Sequence, residues 1–127
     1  MTRVILIVLI HTFGDYFFQG EKLKRLKALK LPYLFEHVVI YIAVLLILSP
    51  FLLQITFVQA LVFSLSNGLL HLFVDYFTRI YKKIYWDNDE VKYNLIVGLD
   101  VACHLICLLT TYYYLIPSGF DAPYYID

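Results

Sequence analysis

Seven ionisable residues of this chain sit inside long apolar runs: His11, Asp15, His37, His71, Asp75, Asp100 and His104. Every histidine of the sequence is among them. Six form pairs spaced i, i+4: His11 with Asp15, His71 with Asp75, and Asp100 with His104. On a helix this spacing puts both side chains of a pair on one face. Imidazole with carboxylate is a donor set for zinc, iron or manganese, and two histidines with one carboxylate make a common open catalytic set. A divalent ion held there would acidify water and polarise a substrate oxygen. The expected ligands are His11, His71, Asp75 and His104. Asp15 and Asp100 are expected to bind the ion too, or to serve as the base or as supports. His37, Asn67 and Gln19 are expected to stand behind the ligands, the last two extending the i, i+4 stripes of their helices.

Two other readings fit the same residues. Asp–His hydrogen bonds could tie helices together or relay protons. A haem between two histidines is a further alternative, which leaves the aspartates unexplained. Cys103 and Cys107 are also spaced i, i+4. Parallel directions one turn apart suit a disulfide poorly, so both are expected as small buried hydrophobes.

The elements that must position these groups follow from composition. Hydrophobic residues make up 61% of the 127, against about half in soluble domains. The excess points to lipid contact. A spanning helix needs about 20 mostly apolar residues. Four stretches come near that length, at residues 3–20, 32–48, 56–85 and 91–116. The fold class is therefore expected to be all-α, an integral membrane bundle of about four transmembrane helices forming one domain over 1–127. Pro32 suits a first turn, Ser49-Pro50 should end the second helix, and Asp87 with Glu90 resembles a capping box. Gln19-Gly20 is followed by Glu21-Lys22 rather than a small-x-small cleavage pattern, so the first helix is expected to be retained.

Charge supplies an orientation. The chain carries ten basic and ten acidic residues, so net charge names no partner. Lys22, Lys24, Arg25, Lys27 and Lys30 fall between helices one and two, and Arg79, Lys82, Lys83 and Lys92 around the turn between three and four. Only Arg3 lies on the opposite side. The positive-inside rule makes the nine-residue side cytoplasmic, giving N-out/C-out. Leu23, Leu26 and Leu29 recur among the lysines of the 21–31 loop, as in a short basic helix resting on anionic lipid. Lys22, Lys24, Arg25, Lys27 and Lys30 are thus candidates for anionic lipid or a phosphate-bearing substrate. At about 1.5 Å per residue, Asp15 lies roughly 7 Å and His11 roughly 13 Å inside, with Asp100 roughly 10–13 Å and His104 roughly 16–20 Å deep. One polar layer near the cytoplasmic side results.

The motif H-x-F-x-D-Y-F occurs twice, as His11 to Phe17 and as His71 to Phe77. Each copy opens a helical hairpin and crosses in the same direction, which suggests a parallel repeat of two hairpins. The order of motifs also resembles the bacterial family called domain of unknown function 3307. Members open with H-x3-D and a following Gln, matched by His11, Asp15 and Gln19. The lysines from Lys22 to Lys30, His37, His71 with Asp75, and Asp100 with His104 follow in the family's order, to about residue 116. Where the family carries a lysine shortly after the third-helix aspartate, this chain has Thr78 and Arg79. The resemblance implies a polytopic protein of the bacterial inner membrane. A looser similarity links the chain to membrane-bound metal-dependent hydrolases.

Three function classes remain. The first is a metal-dependent membrane hydrolase acting on a lipid-linked or phosphate-bearing substrate. The second is an accessory, scaffold or cofactor-holding subunit, working with other membrane subunits or as a homodimer. Ion or proton transport is third, disfavoured because the polar layer stops short of the outer half. Nucleic-acid modules, Gly-rich phosphate loops and Ser or Cys nucleophile sets are not evident.

Overall fold

The computed structural model describes residues 2–17, 23, 26, 27 and 29–116, which form helices joined by short turns with no strand among them. Helix α1 covers Thr2–Thr12 and continues as a π-helical turn, Phe13–Phe17. Helices α2 (Leu31–Leu53), α3 (Phe57–Tyr85) and α4 (Glu90–Leu115) follow. The last three are long and apolar enough to cross a membrane. The described part of the first, residues 2–17, rises about 24 Å, short of a hydrocarbon core about 30 Å thick. At 29 residues, α3 is longer than such a core requires, and Arg79, Lys82 and Lys83 occupy its last turns.

Local chemistry sets the helix ends. Pro32 lies in the first turn of α2, where its missing N–H costs nothing. Pro50 does not stop the helix, contrary to the sequence expectation. Helix α2 runs on to Leu53 and ends at Gln54, which adopts the left-handed conformation with φ 55°. Membrane-type helices tolerate an internal proline because neighbouring groups compensate the lost bond. Thr56 opens α3 with a capping box: its side chain accepts from the Gln59 N–H, and the Gln59 side chain accepts from the Thr56 N–H at 2.9 Å. At α4 the cap is Asp89 and not Asp87. Its carboxylate accepts the Lys92 N–H at 3.0 Å, and this bond holds it below the usual carboxylate range.

Consecutive helices pack on one another, and α1 also touches α4, so the elements close into a ring. The two short turns make α2, α3 and α4 antiparallel neighbours. Near the Gln54 turn the interior is apolar, with Ile7, Ile10, Leu45, Leu53, Phe63, Leu108 and Tyr112 in one cluster. Toward the other end it is polar, with His11, His37, His71, Asp75, Asp100 and His104 all buried. The outside is apolar instead: Ile47, Phe51, Leu69 and Val91 are among the exposed residues. An apolar exterior around a polar interior suits a lipid environment. Cys103 departs from expectation, since it is exposed and Cys107 is half-buried. Both thiols are free.

Close approach at two glycines brings the helices together. A Cβ on Gly68 would overlap the Ile42 side chain of α2. One on Gly14, in the π turn, would meet the Tyr41 ring at 3.0 Å. Small residues at such crossings let membrane helices pack closely.

Candidate metal centre

The polar residues of the interior arrive on four helical segments and meet at one level. The π turn of α1 carries Asp15, α2 brings His37 and Tyr41, α3 brings His71 and Asp75, and α4 brings Asp100 and His104. π turns recur at functional sites, where the widened turn re-aims a side chain. Here Asp15 Oδ1 reaches His37 Nε2 at 3.2 Å and His71 Nε2 at 3.6 Å. Asp75 Oδ2 lies 3.5 Å from the Nε2 atoms of both His37 and His71. His104 Nε2 is 3.8 Å from Asp75 Oδ1. His37 and His71 meet directly, Nε2 to Nε2, at 2.8 Å, so one of them carries the shared proton.

Two sets of donor atoms converge closely enough to hold an ion: Asp15, His37 and His71, and then His71, Asp75 and His104. His71 belongs to both. The spacing can be tested. Two donors on one tetrahedral ion at 2.0–2.2 Å stand about 3.4 Å apart. The Asp15–His37, Asp15–His71 and His71–Asp75 separations of 3.2, 3.6 and 3.5 Å lie close to that value. The His37–His71 separation is shorter, and those rings would have to part by about half an ångström. The chemistry also fits, because His104 Nε2 is buried with no hydrogen-bond partner among the described residues. A buried imidazole nitrogen left without a partner is costly, and a cation is one group that would satisfy it.

His11 stands beside both donor sets without joining either: its Nδ1 lies 3.0 Å from the Tyr41 hydroxyl, and its ring edges toward His71 and His104. Asp100 is fixed by Thr78 Oγ1 at 2.5 Å and Lys82 Nζ at 2.6 Å. Asn67 donates to Thr111 Oγ1 at 2.7 Å and to the Phe63 carbonyl oxygen at 2.9 Å. It therefore ties α3 to α4 one turn away from the histidines. Lys30 is exposed at the start of α2. Gln19, Lys22, Lys24 and Arg25 lie outside the described residues.

Lys27 differs from the exposed Lys30. It turns inward, placing Nζ 3.2 Å from His37 Nε2, 3.5 Å from Asp75 and 3.6 Å from Asp15. Sequence reasoning missed this, together with Tyr41, Thr78 and Lys82. The spacing of Lys82 from Thr78 (i, i+4) was the available signal for the last pair.

A pocket of about 770 Å³ opens on this layer. Asp15, Asp75, Asp100 and Lys27 line its inner part, and Arg79, Lys83, Trp86 and Tyr93 are among its other walls. The four carboxylates and four bases among its lining residues balance one another.

Comparison with known families matches residues 4–127 to the family described as protein of unknown function (DUF3307). No curated protein and no solved structure matches the chain.

Proposed function

The chain belongs to the DUF3307 family, whose description names no activity, and we propose from the site itself that it is a metal-dependent membrane hydrolase. The observation that carries this reading is the double membership of His71 in two His/carboxylate donor sets. Asp15, His37 and His71 would hold one divalent ion, and His71, Asp75 and His104 offer a second or alternative place. Zinc, manganese and iron all suit such donors. When bound, the ion supplies Lewis acidity and lowers the pKa of water at the site.

The protein's own groups do the rest. Tyr41 orients His11 against His71 and His104. Thr78 and Lys82 occupy both oxygens of Asp100, which makes Asp100 a support and leaves Asp15 or Asp75 as the proton acceptor. The pocket gives a lipid-linked or phosphate-bearing substrate access to these carboxylates. The charge distribution supports the basic end as cytoplasmic and both termini as external. In this reading, the two H-x-F-x-D-Y-F copies are paired halves of one site. They differ in backbone, since the first copy straddles the α-to-π junction and the second is α-helical throughout.

A second reading is favoured by Lys27. Its ammonium already neutralises the carboxylates, which is what a purely structural network needs. Zinc-loaded and chelator-stripped protein separate the two. The metal reading expects the loaded form to be more heat-resistant and to hydrolyse a lipid phosphate ester. Equal stability and no turnover in either form would leave the structural network.

A further inference from the structure

The pocket is lined by four bases: Lys27, Arg79, Lys82 and Lys83. Lys27 is engaged by Asp15 and Asp75, and Lys82 by Asp100. Arg79 and Lys83 have no carboxylate within 4.0 Å among the described residues. They are spaced i, i+4 on α3 and so share a face. The Arg79 guanidinium lies over the Tyr76 ring at 5.0 Å, a contact that holds its plane and leaves its edge donors available. A guanidinium edge matches two phosphate oxygens at once, and a neighbouring lysine adds a point charge. The inner carboxylates repel an anion, so its place is at the Arg79 and Lys83 side of the pocket.

Tyr76 also lines a second hollow, an apolar groove of about 350 Å³ between α2 and α3. Leu31, Phe35, Leu69, Leu72 and Phe73 complete it. Leu29 lines the pocket and Leu31, two residues on, the groove, while Arg79 of the pocket lies over the ring of Tyr76 of the groove. Polar pocket and apolar groove thus meet at an arginine held on a tyrosine face. Trp86 and Tyr93, 5.1 Å apart at the pocket, are residues of the kind that settle at headgroup level.

We infer that pocket and groove together bind one phosphate-bearing amphiphile, its phosphate on Arg79 and Lys83 and its hydrocarbon chain along Leu69, Leu72 and Phe73. This names the substrate class of the proposed hydrolase. It rests on that reading for its chemistry but not for binding.

Trp86 is the single tryptophan and lines the pocket, so its fluorescence reports occupancy. The test titrates the full chain, in a neutral maltoside detergent, with dodecyl phosphate, methyl phosphate and dodecyl glucoside. Each buried methylene tightens binding about four-fold, so dodecyl phosphate should bind at least ~100-fold more tightly than methyl phosphate. Dodecyl glucoside should give no saturable change. Arg79→Gln with Lys83→Gln should weaken dodecyl phosphate binding at least ~10-fold. Arg79→Lys, which keeps the charge, should fall between and guards against misfolding of the double variant. Leu69→Phe should weaken dodecyl phosphate and spare methyl phosphate. Equal affinity for methyl and dodecyl phosphate would mean a free-anion site and would overturn the proposal. Unchanged binding in the double variant, or no saturable response, would do the same. Metal content measured on the same sample keeps the two readings apart: normal metal without amphiphile binding removes only this inference, and amphiphile binding without metal removes only the hydrolase.

Discussion

Replacing Lys27 by methionine should change stability and metal affinity in opposite directions. Lys27 Nζ lies 3.5 Å from Asp75 Oδ2 and 3.6 Å from Asp15 Oδ1, with its side chain 19% exposed. Unit charges 3.5 Å apart attract by about 5 kcal/mol at an effective dielectric of 20 and about 1 kcal/mol in water. Desolvation offsets part of this, so the net loss in metal-free protein should be about 2–3 kcal/mol. A divalent ion entering the Asp15, His37 and His71 set must displace the ammonium. Metal-bound wild type has therefore already lost the interaction, and Lys27→Met should leave the metal-bound form almost unaffected. By linkage, the same 2–3 kcal/mol should appear as about 30- to 150-fold tighter metal binding. Thermal unfolding in detergent reads the first effect, and zinc competition with a chromogenic chelator reads the second. If Lys27→Met binds zinc no more tightly than wild type, the ammonium does not compete with the ion and the reasoning fails.

Further predictions concern the supports. Lys82→Met takes the ammonium from Asp100, leaving it hydrogen-bonded to Thr78, and should cost about 2–4 kcal/mol, read as a lower unfolding midpoint. Gly68→Ala should cost about 1–3 kcal/mol by overpacking against Ile42, and Ile42→Ala in the same chain should recover much of it. Tyr41→Phe removes the hydroxyl from His11, which packs against the ligands His71 and His104 without joining their sets, and should weaken zinc binding by no more than about 10-fold, the lower end of the effect of losing a ligand's direct partner. In a cysteine-free background, a thiol introduced at Lys83 should react with an impermeant reagent only from the cytoplasmic side. Labelling from outside would reverse the proposed orientation.

The helical frame was legible because its signal is local. Apolar length marks α2, α3 and α4, and the i, i+4 pairs His71/Asp75 and Asp100/His104 remain close in the structure, at 3.5 and 3.9 Å. The seven chemically distinctive residues were visible for the same reason, since an ionisable group in an apolar run is conspicuous. Backbone detail was less legible. Nothing in Phe13-Gly14-Asp15 announces a π turn, and Pro50 reads as a breaker until neighbouring helices surround it. The capping residue of α4 slipped by two positions, because Asp87, Asn88 and Asp89 are all good caps. Long-range partners were the least visible. Whether Lys27 rests on lipid or turns toward His37 depends on how the loop folds back, and local periodicity carries no such information. Tyr41 looked like one more apolar-run aromatic, and Asn67 looked like part of the histidine stripe until Thr111 came beside it from α4.

The central claim is that His71 joins two donor sets into one metal centre. Elemental analysis of detergent-purified wild type and His71→Gln, after zinc loading and removal of free metal, tests it most directly. Wild type should carry about one or two ions per chain. His71→Gln should retain less than about a tenth of that, because loss of a ligand exceeds the 10- to 100-fold effect of losing a supporting group. Asp15→Asn and His104→Gln, each damaging one set, should fall between. Wild type free of metal after loading, or His71→Gln carrying as much as wild type, would mean that His71 does not hold a metal centre.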